Sequence, residues 1–175
     1  MLPAYLPNSF AAVFGGGRPI DGGRTLKDGK RILGDGKTYR GLFAGIFFGV
    51  LAGLLQTWLN LRGFEVLGIE MPSFGPSFQG ALKVVFALAC GSLFGDMFKS
   101  FFKRRFDMKR GASLPLVDQL DFVAGAWVFT YLLAPEWFVS NFTPWIIVTV
   151  LLITPLIHLA TNIVGYFAGI KKEPW

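Results

Sequence analysis

The sequence predicts an all-α, polytopic helical bundle that is integral to a membrane, and two observations predict it. Of the 175 residues, 53% are hydrophobic and only 16% are charged, whereas soluble domains have about 25% charged residues. The charged residues are also confined to a few stretches that separate long apolar segments. This distribution is typical of a membrane protein and not of a soluble globule.

Four apolar segments are long enough to cross a bilayer, which takes roughly 20 mostly apolar residues in a helix. They are residues 41–61, 80–98, 120–139 and 144–170. A fifth segment, residues 2–14, is shorter and contains two prolines, so we expect a short, broken or re-entrant helix there. Five membrane segments in one domain, residues 1–175, are therefore expected, with polar loops at residues 15–40 and 99–118.

Most cations lie in two of the stretches between these segments. Residues 15–40 contain seven Lys or Arg, and residues 99–110 contain six. Because Lys and Arg gather on cytoplasmic loops, we expect both stretches at the cytoplasmic face of the cell membrane. The same rule explains the net charge of +6 without nucleic acid, for which no binding module is recognisable.

Glycines recur at every fourth position of the segment 41–61. Gly41, Gly45, Gly49 and Gly53 share one face of a helix, which a neighbouring helix can approach closely. The pattern predicts a packing surface, and a role in lining a substrate path is the alternative.

The loop of residues 15–40 contains eight glycines beside its seven cations. Glycines let backbone N–H groups turn towards an anion, so the loop is predicted to cradle phosphate. Neither a Walker P-loop nor a dinucleotide-binding fingerprint is present. The alternative is a basic loop in contact with anionic lipid, against which the interspersed Asp21, Asp28 and Asp35 argue.

Three aspartates lie where apolar segments meet the cytoplasmic face. Asp118 and Asp121 are three residues apart, so they share one side of a helix, and Asp96 interrupts the end of the preceding segment. Carboxylate oxygens combined with substrate phosphates are ligands that Mg²⁺ favours. The three carboxylates are therefore predicted to hold one or two magnesium ions. Stabilisation of a helix start by the macrodipole is the alternative, and it explains Asp118 better than Asp121.

The order of these residues resembles a family signature. A serine, a Lys-Arg pair, a lysine, a proline and a DxxD pair follow one another at Ser100, Lys103, Arg104, Lys109, Pro115, Asp118 and Asp121. This order resembles the phosphatidate cytidylyltransferases, and the stretch 15–41 is most similar to their archaeal branch, the CDP-archaeol synthases. Two features depart from the bacterial pattern: Arg110 stands in place of an acid, and a His-Gly-Gly before the acid pair is absent.

The resemblance implies an enzyme that joins CTP to an isoprenoid ether-lipid phosphate, with Mg²⁺ held by the three aspartates. The lipid phosphate would attack the α-phosphorus of CTP and release pyrophosphate. Membrane lipids would surround the lipid tails, and the oligomeric state stays open, a homodimer included. The roles implied for loop residues are contacts with CTP for Arg18, Arg24, Lys37, Thr38 and Lys109, and catalytic contacts with phosphates for Ser100, Lys103 and Arg104.

A small transporter or channel, with acidic residues lining a path, is the alternative function. Its charges are expected near the middle of the bilayer on broken helices, whereas the charges here gather at one face. A CDP-alcohol phosphotransferase is a second enzymatic alternative. Its DGxxAR and GxxxDxxxD motifs do not occur in the sequence, so the cytidylyltransferase interpretation is favoured.

Overall fold

The computed structural model describes residues 1–66, 68–108 and 114–169. These residues form a mostly helical chain, as predicted. They also include one short antiparallel pair of strands, which the all-α prediction did not contain. The strands are β1 (Glu65–Val66) and β2 (Ile69–Glu70). The helices are α1 (Leu2–Val13), α2 (Tyr39–Leu61), α3 (Phe78–Arg105), α4 (Val117–Leu133), α5 (Pro135–Asn141) and α6 (Pro144–Phe167).

Three helices within the described residues are long and apolar enough to cross a membrane, namely α2, α3 and α6. The predicted span 120–139 is divided, so the count of four clear spans is not confirmed. The 17-residue α4 ends at Leu133, and the 7-residue α5 begins at Pro135. Pro135 lacks the N–H that would continue the helix and keeps Ala134 out of the α conformation, which explains the break.

The prolines of the first segment do not prevent a short helix. Pro3, Ala4 and Pro7 of α1 are buried, and the helix lies against α2 and α3. Hydroxyl caps mark two of the following starts: Thr38 Oγ1 accepts from the Gly41 N–H before α2, and Ser77 Oγ accepts from the Gly80 N–H before α3.

The glycine face of α2 is a packing surface, as predicted. All four of its glycines are buried. A Cβ added to Gly49 would lie 2.7 Å from Cγ of Pro7 and 2.9 Å from Cβ of Ala89. Since nothing larger than hydrogen fits there, α1 and α3 both approach the α2 backbone closely.

A second close approach joins α3 to α4. A Cβ on Gly91 would lie 2.5 Å from the carbonyl oxygen of Gly125, and a Cβ on Gly95 would overlap the carbonyl oxygen of Asp121. The two backbones therefore touch where Asp96 and Asp121 extend from them. This contact, which the sequence analysis did not single out, builds the acidic end of the site.

Candidate active site

A cavity of about 880 Å³ lies between α1, α2, α3, α4 and α6. Its lining combines charged and apolar side chains. An amphiphile with a charged head and a hydrocarbon tail suits such a lining. Charged lining residues are Lys37, Asp96, Lys99, Lys103, Asp118 and Asp121, and apolar ones include Leu2, Leu6, Val13, Ile157 and Val164.

Lys99 lies among the three aspartates. Its Nζ is 2.8 Å from Oδ2 of Asp121 and 3.2 Å from Oδ1 of both Asp96 and Asp118. The α3 helix supplies Asp96 and Lys99 one turn apart, and the start of α4 supplies the other two acids. The structure thus brings the three predicted aspartates together, and it brings them together around an ammonium group.

Two further lysines complete this charged cluster. Lys103 Nζ is 2.6 Å from Oδ1 of Asp118, and Lys37 pairs with Asp96 Oδ2. The backbone N–H of Leu114 donates to Oδ2 of Asp118 at 2.6 Å, which anchors the start of α4. With every group ionised, three lysines balance three aspartates.

The arrangement of the acids bears on the predicted metal. Among residues 1–66, 68–108 and 114–169, no three His, Cys, Asp or Glu side chains are placed to hold a metal ion together. The carboxylates instead face the Lys99 ammonium. Their chemistry still fits Mg²⁺, since all three donors are carboxylate oxygens at a partly buried position. Metal ligation by these residues remains a proposal.

The loop between α1 and α2 is folded, and Asp21 organises it. The buried carboxylate accepts from the Arg31 guanidinium at 2.7 Å and from the backbone N–H groups of Gly23, Leu33 and Gly34 at 2.9–3.1 Å. The Arg31 guanidinium, together with these N–H groups, holds the pKa of the Asp21 carboxyl well below its usual range. Asp21 therefore stabilises the loop as an anion.

The same loop is attached to the end of α3. Arg105 Nη1 donates to Oδ2 of Asp28 at 2.7 Å, and its Nη2 donates to the backbone carbonyls of Lys30 and Arg31. Lys30 Nζ donates in return to the carbonyl oxygen of Arg105 at 2.8 Å and to Asp107 Oδ2 at 2.6 Å. The two cation-rich stretches are therefore adjacent at one end of the molecule.

The predicted site residues fall into three groups. Those that line the cavity are Lys37, Thr38, Lys103 and the three aspartates, whereas Arg18, Arg24, Ser100 and Arg104 do not line it, and Lys109 lies outside the described residues. Arg18 and Arg24 are exposed on the loop. The Thr38 hydroxyl oxygen is engaged as the cap of α2.

Some residues in the cavity wall had no role assigned from the sequence. Lys99 is the foremost, and its position three residues after Asp96 on a helix is the signal that points to it. His158 also lines the cavity, with its Nδ1 3.1 Å from Nδ2 of Asn162. Asn8 and Ser9 add polar groups on α1. Their spacing in the sequence gives no sign that they meet.

Comparison with known proteins assigns the chain to a family. The family model described as CarS-like CDP-archaeol synthase matches residues 1–175. The chain belongs to the CDP-archaeol synthase family. CDP-archaeol synthases similar to it include those of Methanosarcina mazei (77% identical, 100% of both chains) and Methanospirillum hungatei (50%, 100% of both). That of Halorubrum lacusprofundi is 45% identical, over 100% of this chain and 93% of its own.

A solved structure supports the fold of this family. It is described as an intramembrane enzyme for archaeal membrane lipids biosynthesis. It superposes with a TM-score of 0.72 at 39% identity, over 93% of this chain and 90% of its own. The protein is therefore a membrane cytidylyltransferase, as the resemblance implied, and the transporter alternative is set aside.

Proposed function

We propose that the protein transfers the cytidylyl group of CTP to 2,3-bis-O-geranylgeranyl-sn-glycerol 1-phosphate. The products are the CDP-lipid, called CDP-archaeol here, and pyrophosphate. The observation that carries this proposal is the cavity, whose lining contains the cluster of three lysines and three aspartates together with apolar side chains. Relatives that match the whole chain are named CDP-archaeol synthases.

The reaction needs little covalent participation from the protein. An oxygen of the lipid phosphate forms a bond to the α-phosphorus of CTP, and the bond from that phosphorus to the bridging oxygen breaks. The electron pair leaves with pyrophosphate. Because a phosphate monoester is already anionic near neutral pH, no strong general base is required, and positioning with charge neutralisation provides most of the catalysis.

The lysines of the cavity suit the binding of these phosphates. Lys37 approaches from the loop and Lys103 from α3, so both cations face the cavity from different elements. Asp96, Asp118 and Asp121 would hold Mg²⁺. When bound, that ion offsets the negative charge that accumulates on the phosphates.

The orientation proposed for the chain places this charged end in the cytoplasm. The loop and the end of α3, which together carry most of the cations, lie against each other, and such cations favour the cytoplasmic side of the cell membrane. Five membrane segments are proposed: α1, α2, α3, the α4–α5 pair and α6. The short α1 would lie within the bundle, as its buried prolines suggest.

The direct test uses the purified full chain in detergent with labelled CTP, Mg²⁺ and the ether-lipid phosphate. We expect a labelled CDP-lipid and one pyrophosphate for each lipid consumed. A parallel reaction with phosphatidic acid tests selectivity for the ether lipid. Folded, monodisperse protein that leaves CTP intact with the ether-lipid phosphate would refute the proposal.

A further inference from the structure

The position of Lys99 differs from that of the other two lysines in the cluster. Lys99 pairs with all three carboxylates, whereas Lys37 pairs with Asp96 and Lys103 with Asp118. The side chain is only 14% exposed, and that of Asp121 is 5% exposed. The Lys99 ammonium therefore occupies the point on which the three carboxylates converge.

A cation at this point stabilises the ionised form of the cluster. Three carboxylates in a partly buried space have lost hydration and repel one another, and a positive charge between them offsets both effects. The Lys99 ammonium supplies that charge. A divalent ion held by the same three carboxylates would need the position that the ammonium occupies.

Lysine is suited to leave such a position. Its ammonium is a compact charge on a flexible four-carbon stem, so the head group can move while α3 stays fixed. Lys99, Asp96 and Asp121 line the wall of the cavity, so there is open space next to the cluster. An ammonium that leaves the carboxylates remains at the end of the cavity where phosphates would lie.

We propose that Lys99 is an exchangeable cation of this site. Before substrates bind, its ammonium holds the three carboxylates together, and a divalent ion then replaces it and frees it towards the phosphates. This inference rests on the proposed function and adds a positioning role for Lys99. It also explains why α3 and α4 keep a preformed acidic site that is electrically neutral without a metal.

The test measures binding of Mn²⁺ alone, without nucleotide, to the full chain by electron paramagnetic resonance. Lys99→Met removes the competing cation and keeps the length of the side chain. We expect it to bind Mn²⁺ about tenfold more tightly than the wild type. Lys99→Arg retains the charge, so its affinity should stay near the wild-type value.

The matched control is Lys103→Met, which removes the same unit charge at Asp118. If net charge alone governed Mn²⁺ binding, both methionine variants would gain the same affinity for Mn²⁺. The proposal requires a clearly larger gain for Lys99→Met, and equal gains would overturn it. A Lys99→Met variant that unfolds without metal should be restored by Mn²⁺, and failure to recover would also count against the exchange.

A second measurement uses the wild-type protein. Amine acetylation of Lys99, followed by mass spectrometry, should rise several-fold when Mg²⁺ is added, because the displaced ammonium leaves its carboxylates. Lys103 provides an internal comparison in the same digest. Labelling of Lys99 that stays constant while Mn²⁺ binding saturates would show that the ion does not replace the ammonium.

These outcomes are separate from the fate of the proposed function. If CTP and the ether-lipid phosphate react normally while Lys99→Met leaves the affinity for Mn²⁺ unchanged, the proposed function stands and the proposed cation exchange is wrong. If no CDP-lipid forms but Lys99→Met raises Mn²⁺ affinity selectively, the cation exchange stands and the substrate assignment fails.

Discussion

The guanidinium of Arg105 donates to Oδ2 of Asp28 at 2.7 Å. This contact joins the last turn of α3 to the loop between α1 and α2, and two further bonds from Arg105 to the carbonyl oxygens of Lys30 and Arg31 reinforce it. Together with Lys30, which donates to the Arg105 carbonyl oxygen, Arg105 thus ties the loop that carries Lys37 to the helix that carries Asp96, Lys99 and Lys103.

The first prediction concerns this attachment. Arg105→Gln should increase amide hydrogen exchange across residues 26–33 more than Asp28→Asn does, because Arg105 also binds two backbone carbonyls. The double variant should resemble Arg105→Gln alone, since both changes remove one shared contact. Equal and additive effects of the two single changes would show that the ion pair does not attach the loop.

The second prediction concerns pH. The pKa of Asp21 is lowered, mainly by Arg31. Its stabilisation of the loop is therefore complete above the unfolded pKa of about 3.9 and is lost as the pH falls through the lower folded value. Asp21→Asn should raise loop exchange at pH 5 to 8 by turning an amide N–H₂ towards the N–H donors of Leu33 and Gly34.

The difference between the wild type and Asp21→Asn should begin to shrink once the pH falls below about 4, where the Asp21 carboxyl of the unfolded loop starts to protonate while that of the folded loop is still ionised. Exchange rates corrected for the intrinsic effect of pH provide the measurement. Asp35→Asn is the control. The exposed Asp35 carboxylate also pairs with Arg31, at 2.8 Å, and its removal should raise loop exchange less than Asp21→Asn does. A difference in loop exchange between the wild type and Asp21→Asn that grows as the pH falls would contradict a stabilising role for the Asp21 carboxylate.

The third prediction concerns the contact between α3 and α4. Gly95→Ala adds a methyl group that overlaps the carbonyl oxygen of Asp121, and overpacking of this kind costs about 1–3 kcal/mol. We expect a lower unfolding temperature in detergent and a large loss of activity as the acids move apart. In Gly80→Ala, on the same helix, the added methyl group lies 3.3 Å from Ser77 Oγ. This variant should change the unfolding temperature and the activity little.

The fourth prediction separates the two substrates. Lys37→Ala should raise the KM for CTP about tenfold, the scale of one lost charge-assisted hydrogen bond, and should change the KM for the lipid less. Steady-state kinetics with each substrate varied in turn provide the test. Lys27→Ala, which removes an exposed cation of the same loop, is the control, and an unchanged KM for CTP in Lys37→Ala would refute the assignment.

The fifth prediction concerns Asp121. Asp121→Asn should lower turnover at least about 100-fold by removing a buried charge of the cluster, while the secondary structure by circular dichroism stays the same. Glu65→Gln, in the β1 strand, changes an exposed carboxylate outside the cavity and should keep full activity. Near-normal turnover by Asp121→Asn would remove this carboxylate from the mechanism.

The sequence by itself determined the class of the molecule and pointed to the three aspartates that the structure brings together. Long apolar segments predict membrane helices because the bilayer sets their length and leaves the backbone no partner except itself. The sequence also showed the spacing of Asp118 and Asp121, the clusters of cations and the glycine face of α2. Each of these signals comes from residues that are close together in the chain.

Only the tertiary structure decided what lies between the acids and where the loop is attached. Lys99 became central because Gly91, Gly95 and Gly125 let α3 and α4 touch, and the partners in a contact between helices are not encoded in the period of either one. The attachment of Arg105 to Asp28 likewise depends on a contact between residues far apart in the chain. Such contacts form where the folded backbones meet, so the periodicity of a segment cannot reveal them.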